Sequence, residues 1–378
     1  MALFRLLVAC ALAGMLAGCA TLGYYAQAVS GELSILTNRR DISKVIADPK
    51  TPAAVRAKLT LALKARDFAS RTLHLPDNDS YRTYVDLDRR YPVWVVYAAP
   101  PFSLTPITWC FLFAGCVPYR GYFSKDAAEA FAAQLNKQGN DVYVGGAPSY
   151  STLGWFADPV FSNMLRWNDA ALAGLIFHEL AHQLVYVKND SSFNESFADT
   201  VQTVGIRRWL RAQGEPKALA AYEQGLAVER AFEDLVRETR TRLGKIYAAP
   251  LNAAAKRQRK AEAFAWLKAR YARLVAQIGR DVYGEWFMHP LNNASLQVIT
   301  TYDQWQPAFE RLLACTGDDL PAFYAKVRAI AALAPAARHA RLRALAPARV
   351  TPASARRRTP ATTAGELRPA ANGCRMQP

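Results

Sequence analysis

Apolar residues fall along this chain in runs whose period changes from one segment to the next. The densest, Ala170 to Val187, is apolar around most of a helix, and Asn168-Asp169 stands before it as an N-cap. Helical spacing also marks Tyr24 to Leu36, and a short helix is expected at Asp41 to Ala47. Thr51-Pro52 starts a helix with Thr as cap and Pro in the first position; it runs to about Leu73, and Pro76-Asp77-Asn78-Asp79 ends it. Tyr91 to Ala98 is β-branched and aromatic, which predicts a strand. Pro100 to Tyr122 reads as an aromatic, Pro-rich loop, and Ser124 to Lys137 as an amphipathic helix closed by Gly139. Asp141 to Val144 predicts a short strand, Gly145-Gly146-Ala147-Pro148 a turn, and Tyr150 to Phe156 a further strand.

Beyond the dense run a second helix passes through Trp209-Leu210 and stops near Gly214. Lys217 to Ile246 and Leu251 to Ile278 are long and charged, and Ala248-Ala249-Pro250 separates them. They predict an antiparallel hairpin with wet outer faces, at about 217–278. Trp286 to Thr301 is irregular, whereas Trp305 to Ala314 and Leu320 to Leu333 are helical. The expected class is α+β, mainly helical, with a small mixed sheet and the charged hairpin beside it.

Charge changes this picture most at the end of the chain. The net charge is +16, but Ala336 to Pro378 holds nine Arg, no Lys and one acid, Glu366, so half of the excess is there. Residues 336–378 therefore read as a basic, disordered tail. In the hairpin Lys and Arg outnumber Asp and Glu by thirteen to six over 217–278, but no nucleic-acid motif accompanies them, so nucleic acid is not an expected partner.

At the other end, Arg5 precedes an apolar stretch from Leu6 to Leu16, too short to span a bilayer. Leu16-Ala17-Gly18-Cys19 fits a bacterial lipobox. The expectation is a lipoprotein signal peptide over 1–18, lipid on Cys19, membrane association through that lipid, and a position facing the periplasm. Ala20 after the Cys fits sorting to the outer membrane. An ordinary secretory signal with a fortuitous Cys is the other reading. In an oxidising compartment Cys110 and Cys116 fit a disulfide closing the loop between them; two buried thiols are the alternative.

The chemistry sits in the dense run. His178-Glu179-Leu180-Ala181-His182 is His-Glu-x-x-His, and residues four apart share a helix face. Two imidazoles so placed can hold one Zn²⁺, with Glu179 as general base toward water. The alternative is a buried His pair without a metal. A catalytic zinc site takes three protein ligands. A third His at the spacing of the metzincins is excluded, because Val185 and Lys188 stand where Gly and His would be needed. There is no Gly-x-Ser-x-Gly elbow and no phosphate-binding Gly loop.

A second motif follows, Asn194-Glu195-Ser196-Phe197-Ala198-Asp199. The two together resemble the gluzincin metallopeptidases. With Tyr119-Arg120-Gly121-Tyr122-Phe123, Gly154-Trp155-Phe156-Ala157-Asp158-Pro159 and Leu291-Asn292-Asn293-Ala294, the chain looks like the bacterial family called predicted aminopeptidases, from about the lipobox to about residue 335. The resemblance implies a zinc-peptidase core over 19–335 acting on peptides, with Glu195 as third ligand and Asp199 hydrogen-bonded to the far nitrogen of a ligating His. Read alone, Ser192-x-x-Glu195 is instead a capping box. Only twelve residues separate His182 from Glu195, fewer than in thermolysin, so the connection must turn back quickly.

The same resemblance implies an edge strand that pairs with extended substrate, placed at Tyr150 to Trp155 and including Gly154. It also implies a donor to the developing oxyanion. Tyr302, His289 and Tyr283 are available, and position after the zinc helices favours Tyr302. Aminopeptidase specificity rests on the family name, since the Gly-x-Met-Glu-Asn motif that binds the free amine in one gluzincin family is absent. The competing reading is a non-catalytic envelope lipoprotein whose structural zinc is closed by a fourth ligand, with His289 the suspect.

Overall fold

Helices carry most of the chain, and the strands form small sheets between them. The computed structural model describes residues 23–111, 115–300 and 305–346; Cys19 and Tyr302 lie outside them. In order, helix α1 spans 23–37, followed by β1 (Arg40–Asp41), α2 (Ile42–Ala47), α3 (Ala53–Arg71), β2 (Thr83–Val85) and β3 (Val93–Ala99). Then come β4 (Trp109–Phe111), β5 (Gly115–Val117), β6 (Tyr119–Tyr122), α4 (Lys125–Lys137), β7 (Asp141–Ala147) and β8 (Val160–Phe161). The rest is helical: α5 (Asp169–Leu184), α6 (Ser191–Ala212), α7 (Pro216–Ala248), α8 (Ala253–Ile278), α9 (Gly284–Phe287), α10 (Ser295–Thr300), α11 (Gln306–Ala314), α12 (Leu320–Ala331) and α13 (Pro335–Leu345).

Three apolar clusters organise these elements. The largest joins α2, α3, α5, α6 and α11 to α13 with β2 and β8. A second lies inside the α7–α8 hairpin and takes in Trp286 and Leu296. The third packs α4 on the antiparallel sheet β6-β3-β7. α5 is central because it is buried nearly all round, as its unbroken apolar run requires. It meets α6 closely: a Cβ on Gly174 would stand 2.4 Å from Ile206 Cδ1, and one on Gly205 would stand 2.6 Å from Phe177 Cδ2. Only glycine permits that separation.

Local chemistry sets the helix ends. The Asn168 side chain caps α5 by accepting from Ala171 N, and the Ser124 side chain caps α4 by accepting from Ala127 N. Gly139 after α4 adopts φ +84°, the left-handed conformation that ends a helix. The Cys110–Cys116 disulfide is present and joins facing residues of the β4–β5 hairpin.

The structure corrects several expectations. Pro100 to Tyr122 is not wholly loop, since β4, β5 and β6 arise within it. β7 is longer than expected, because Gly145 and Gly146 stay in the ladder opposite Val95 and Trp94. Tyr150 to Phe156 is not a strand. Buried Asp158 accepts from Thr152 N, Thr152 Oγ1 and Ser151 Oγ, and Leu153 and Gly154 turn left-handed at φ 55° and 84°. Backbone so engaged cannot join a ladder. Trp286 to Thr301 takes in the end of α9 and all of α10. The tail does not begin at 336: α13 packs Leu342 and Leu345 into the main cluster and buries Arg338 against Asp190.

Candidate active site

The site forms where α5 and α6 face each other across the six-residue connection 185–190. Asn194 fixes that turn, accepting from Val187 N and donating to Val187 O, both at 2.8 Å. Asp190, rather than Ser192, caps α6 by accepting from Phe193 N. Glu195 is thereby released from the capping-box role, and its carboxylate turns toward α5. Asn189, at φ 65°, accepts from Cys116 N at 2.7 Å and latches the disulfide hairpin onto the turn.

His178 and His182 are buried, with Nε2 atoms 3.1 Å apart. Glu195 Oε2 lies 3.4 Å from His178 Nε2 and 3.5 Å from His182 Nε2. Ligand atoms about 2.0–2.1 Å from a tetrahedral zinc stand about 3.3–3.4 Å from one another. The three atoms therefore form one face of such a tetrahedron. One shared proton makes the His178–His182 contact a hydrogen bond, whereas a dication would engage all three atoms at once. His182 Nδ1 is buried and lacks a hydrogen-bond partner. Asp199 Oδ1 sits 3.1 Å from His178 Nδ1, at hydrogen-bond distance though poorly aligned.

Electrostatics agree with a cation site. Burial pushes the His178 imidazolium down, yet the Asp199 and Glu195 carboxylates outweigh it and hold its pKa well above the usual value. Burial pushes Glu195 up, but the two imidazoles dominate and hold it far below the carboxylate range. Asp199 stays raised because burial exceeds what His178 returns. Without a metal the cluster must borrow protons to balance its charge; a dication supplies that charge directly.

Glu179, one step round α5, turns toward the end of β7, where Ser149 Oγ donates to its Oε1 at 2.6 Å. Gln183, next to His182, donates to Ser80 Oγ and Asp158 Oδ2 and accepts from Asn78 Nδ2. The Asn78–Ser80 turn is held in its turn by fully buried Arg66, which donates to Pro76 O, Asn78 O and Ser80 O.

Of the expected site residues, His178, His182 and Glu195 come together as one group of potential ligands, with Glu179 and Asp199 beside them. Tyr150, Gly154 and Trp155 lie in the turn before β8 and form no edge strand; among the described residues the outer strand of the sheet that leads to Glu179 is β7. His289 rests against Tyr143, with ring centroids 5.6 Å apart, and is not in the ligand group. Tyr283 stacks on Phe232 inside the hairpin cluster. Sequence reasoning missed Ser149, Tyr119 and Tyr186. Burial first, and then the negative charge of Glu195 among others, raises both phenols. Tyr119 opens the Tyr-Arg-Gly-Tyr-Phe motif, which was the available signal.

The chain matches the family described as "Putative aminopeptidase" over residues 23–342. It belongs to that family. The match takes in α1 and most of α13, and with them every element that builds the site. Comparison with curated proteins returns no match, and neither does comparison with solved structures.

Proposed function

We propose that this member of the aminopeptidase family is a zinc-dependent peptidase, held to the cell envelope by lipid on Cys19 and acting on peptides in the periplasm. The observation that carries the reading is the triangle of His178 Nε2, His182 Nε2 and Glu195 Oε2, with edges of 3.1–3.5 Å. A zinc ion held there would acidify water and polarise a carbonyl oxygen.

The chain's own groups do the rest. Glu179 takes the proton from the attacking water and returns it to the leaving amine nitrogen. Ser149 holds that carboxylate at one oxygen and leaves the other for the proton. Asp199 orients His178 from the far side of its ring, which keeps Nε2 aimed at the metal position. A phenol donates to the carbonyl oxygen as it gains charge. Tyr302 was expected in that role, and Tyr119 and Tyr186, both within the field of Glu195, are the described candidates. Extended substrate would pair with β7, whose last residues lead to Ser149.

Metal content paired with hydrolysis of free and N-blocked peptides tests the reading. One zinc per chain, cleavage abolished by a chelator, and a strong preference for free amino termini are expected. Zinc without cleavage of any peptide would favour a structural site and overturn it. Equal cleavage of blocked and free peptides would change exopeptidase to endopeptidase.

A further inference from the structure

Among the described residues, eight large apolar side chains are exposed, and five of them gather in two neighbouring places. Tyr25, Val29 and Leu33 are 46%, 58% and 54% exposed on α1; Trp155 and Phe156 are 67% and 48% exposed at the tip of the 150–156 turn. The α1 residues recur every four positions and so make one stripe. The rest of that outward face is Ala26, Ser30, Ser34 and Thr37. The solvent side of a fifteen-residue helix (23–37) thus carries no charged residue, whereas a helix facing water is normally charged there.

The two places adjoin. The Tyr150 hydroxyl lies beside Glu32 on the inner face of α1, and Arg39 just past the helix donates to Ala157 O at 2.8 Å. The turn therefore meets α1 at both of its ends. A Cβ on Gly154 would lie 3.6 Å from the Gln183 side chain, and Ser149 holds Glu179, so the patch borders the catalytic cleft.

We propose that this patch is a membrane-docking face, resting at the headgroup–acyl boundary of the bilayer that receives the lipid of Cys19. The inference rests on the lipidation reading. Cys19 and Tyr25 are six residues apart, which spans at most about 22 Å of extended chain. α1 therefore starts within that distance of the membrane surface. None of the helices searched is long and apolar enough to cross a membrane, and α1, about 22 Å long, suits a helix lying in the interface. An exposed Trp beside an uncharged helix face fits that boundary, where its amphipathic ring is favoured.

The test uses the full-length protein in vesicles of phosphatidylethanolamine and phosphatidylglycerol. An environment-sensitive dye is placed by Val29→Cys or Phe156→Cys, with Glu262→Cys on the far hairpin as the aqueous control. Several-fold protection of positions 29 and 156 from iodide is expected, together with quenching by lipids brominated on the acyl chains and neither effect at 262. The Tyr25→Ser/Val29→Ser/Leu33→Ser variant should return position 156 to iodide. Labels at 29 and 156 as iodide-accessible as 262, while the protein floats with the vesicles, would overturn the inference. So would protection without bromine quenching, which marks contact with a second copy of the chain. Should the chain float and show both effects while mass analysis finds Cys19 unlipidated, the lipidation reading falls and the docking face stands.

Discussion

α5 and α6 meet along a seam where Gly174 lies under Ile206 and Gly205 under Phe177. α7 and α8 meet through large side chains, Phe232, Val236 and Leu243 sharing a cluster with Phe264, Leu267 and Tyr271. The first pair is buried on most sides; the second turns charged faces to water and carries ion pairs such as Arg242–Glu238 along one helix. The contrast fits the proposed placing of the chemistry on the first pair. Three ligand atoms must stay within a few tenths of an ångström, and a close seam locked on every side gives that precision. A one-sided hairpin is stable without it.

The largest expected effect is on turnover. Glu179→Gln preserves shape and the Ser149 contact but removes the proton acceptor. Hydrolysis should fall at least ~10²–10⁴-fold, with zinc content unchanged, measured by peptide assay and metal analysis on one sample. Full activity in this variant would remove Glu179 from the mechanism. The next effect is on stability and reaches the seam from outside. Arg338 on α13 donates to Asp190 Oδ2 at 2.7 Å, with side chains only 5% and 4% exposed, and His339 lies 2.8 Å from the same oxygen. Arg338→Ala leaves the α6 cap carboxylate poorly paired and should cost about 3–5 kcal/mol in denaturant unfolding. A loss within error would show that α13 is an appendage.

That pair also marks where the sequence stopped being legible. Ala-rich, Arg-rich composition makes 335–345 look unstructured, and nothing local announces that Arg338 meets an Asp 148 positions earlier. The 150–156 turn failed for a similar reason: its residues favour strands, but Asp158 draws their donors away. β4 to β6 are too short to show a period. What could be read was local. The His178–His182 spacing, the caps Asn168 and Ser124 and the charged hairpin each need only neighbours in sequence. Glu195 required a second motif, and in the structure Asp190 rather than Ser192 caps that helix.

Asp199→Asn should sharpen the comparison by an amount between those above and those below. It keeps the size but not the charge opposite His178 Nδ1, so zinc affinity should fall about 10–100-fold, read by competition with a chromophoric chelator. The same change at Asp281, which accepts from Tyr271 Oη in the hairpin cluster, should leave zinc affinity unchanged.

The smallest effects come from one substitution made in each helix pair, Gly to Ala. Alanine is favoured over glycine in a helix interior by about 1 kcal/mol. At Gly225 on α7 a Cβ would meet nothing within 4 Å, so Gly225→Ala should raise stability by about 0.5–1 kcal/mol. At Gly205 the same Cβ would stand 2.6 Å from Phe177 Cδ2 and 2.9 Å from Leu73 Cδ1, both rings and methyls of fully buried residues. Overpacking of this kind costs about 1–3 kcal/mol, which exceeds the propensity gain, so Gly205→Ala should be net destabilising and should loosen zinc as well. Thermal melts of the two variants should move in opposite directions. If both rise, the α5–α6 seam has slack, and the spacing of the three ligand atoms must be set by the metal rather than by the helices.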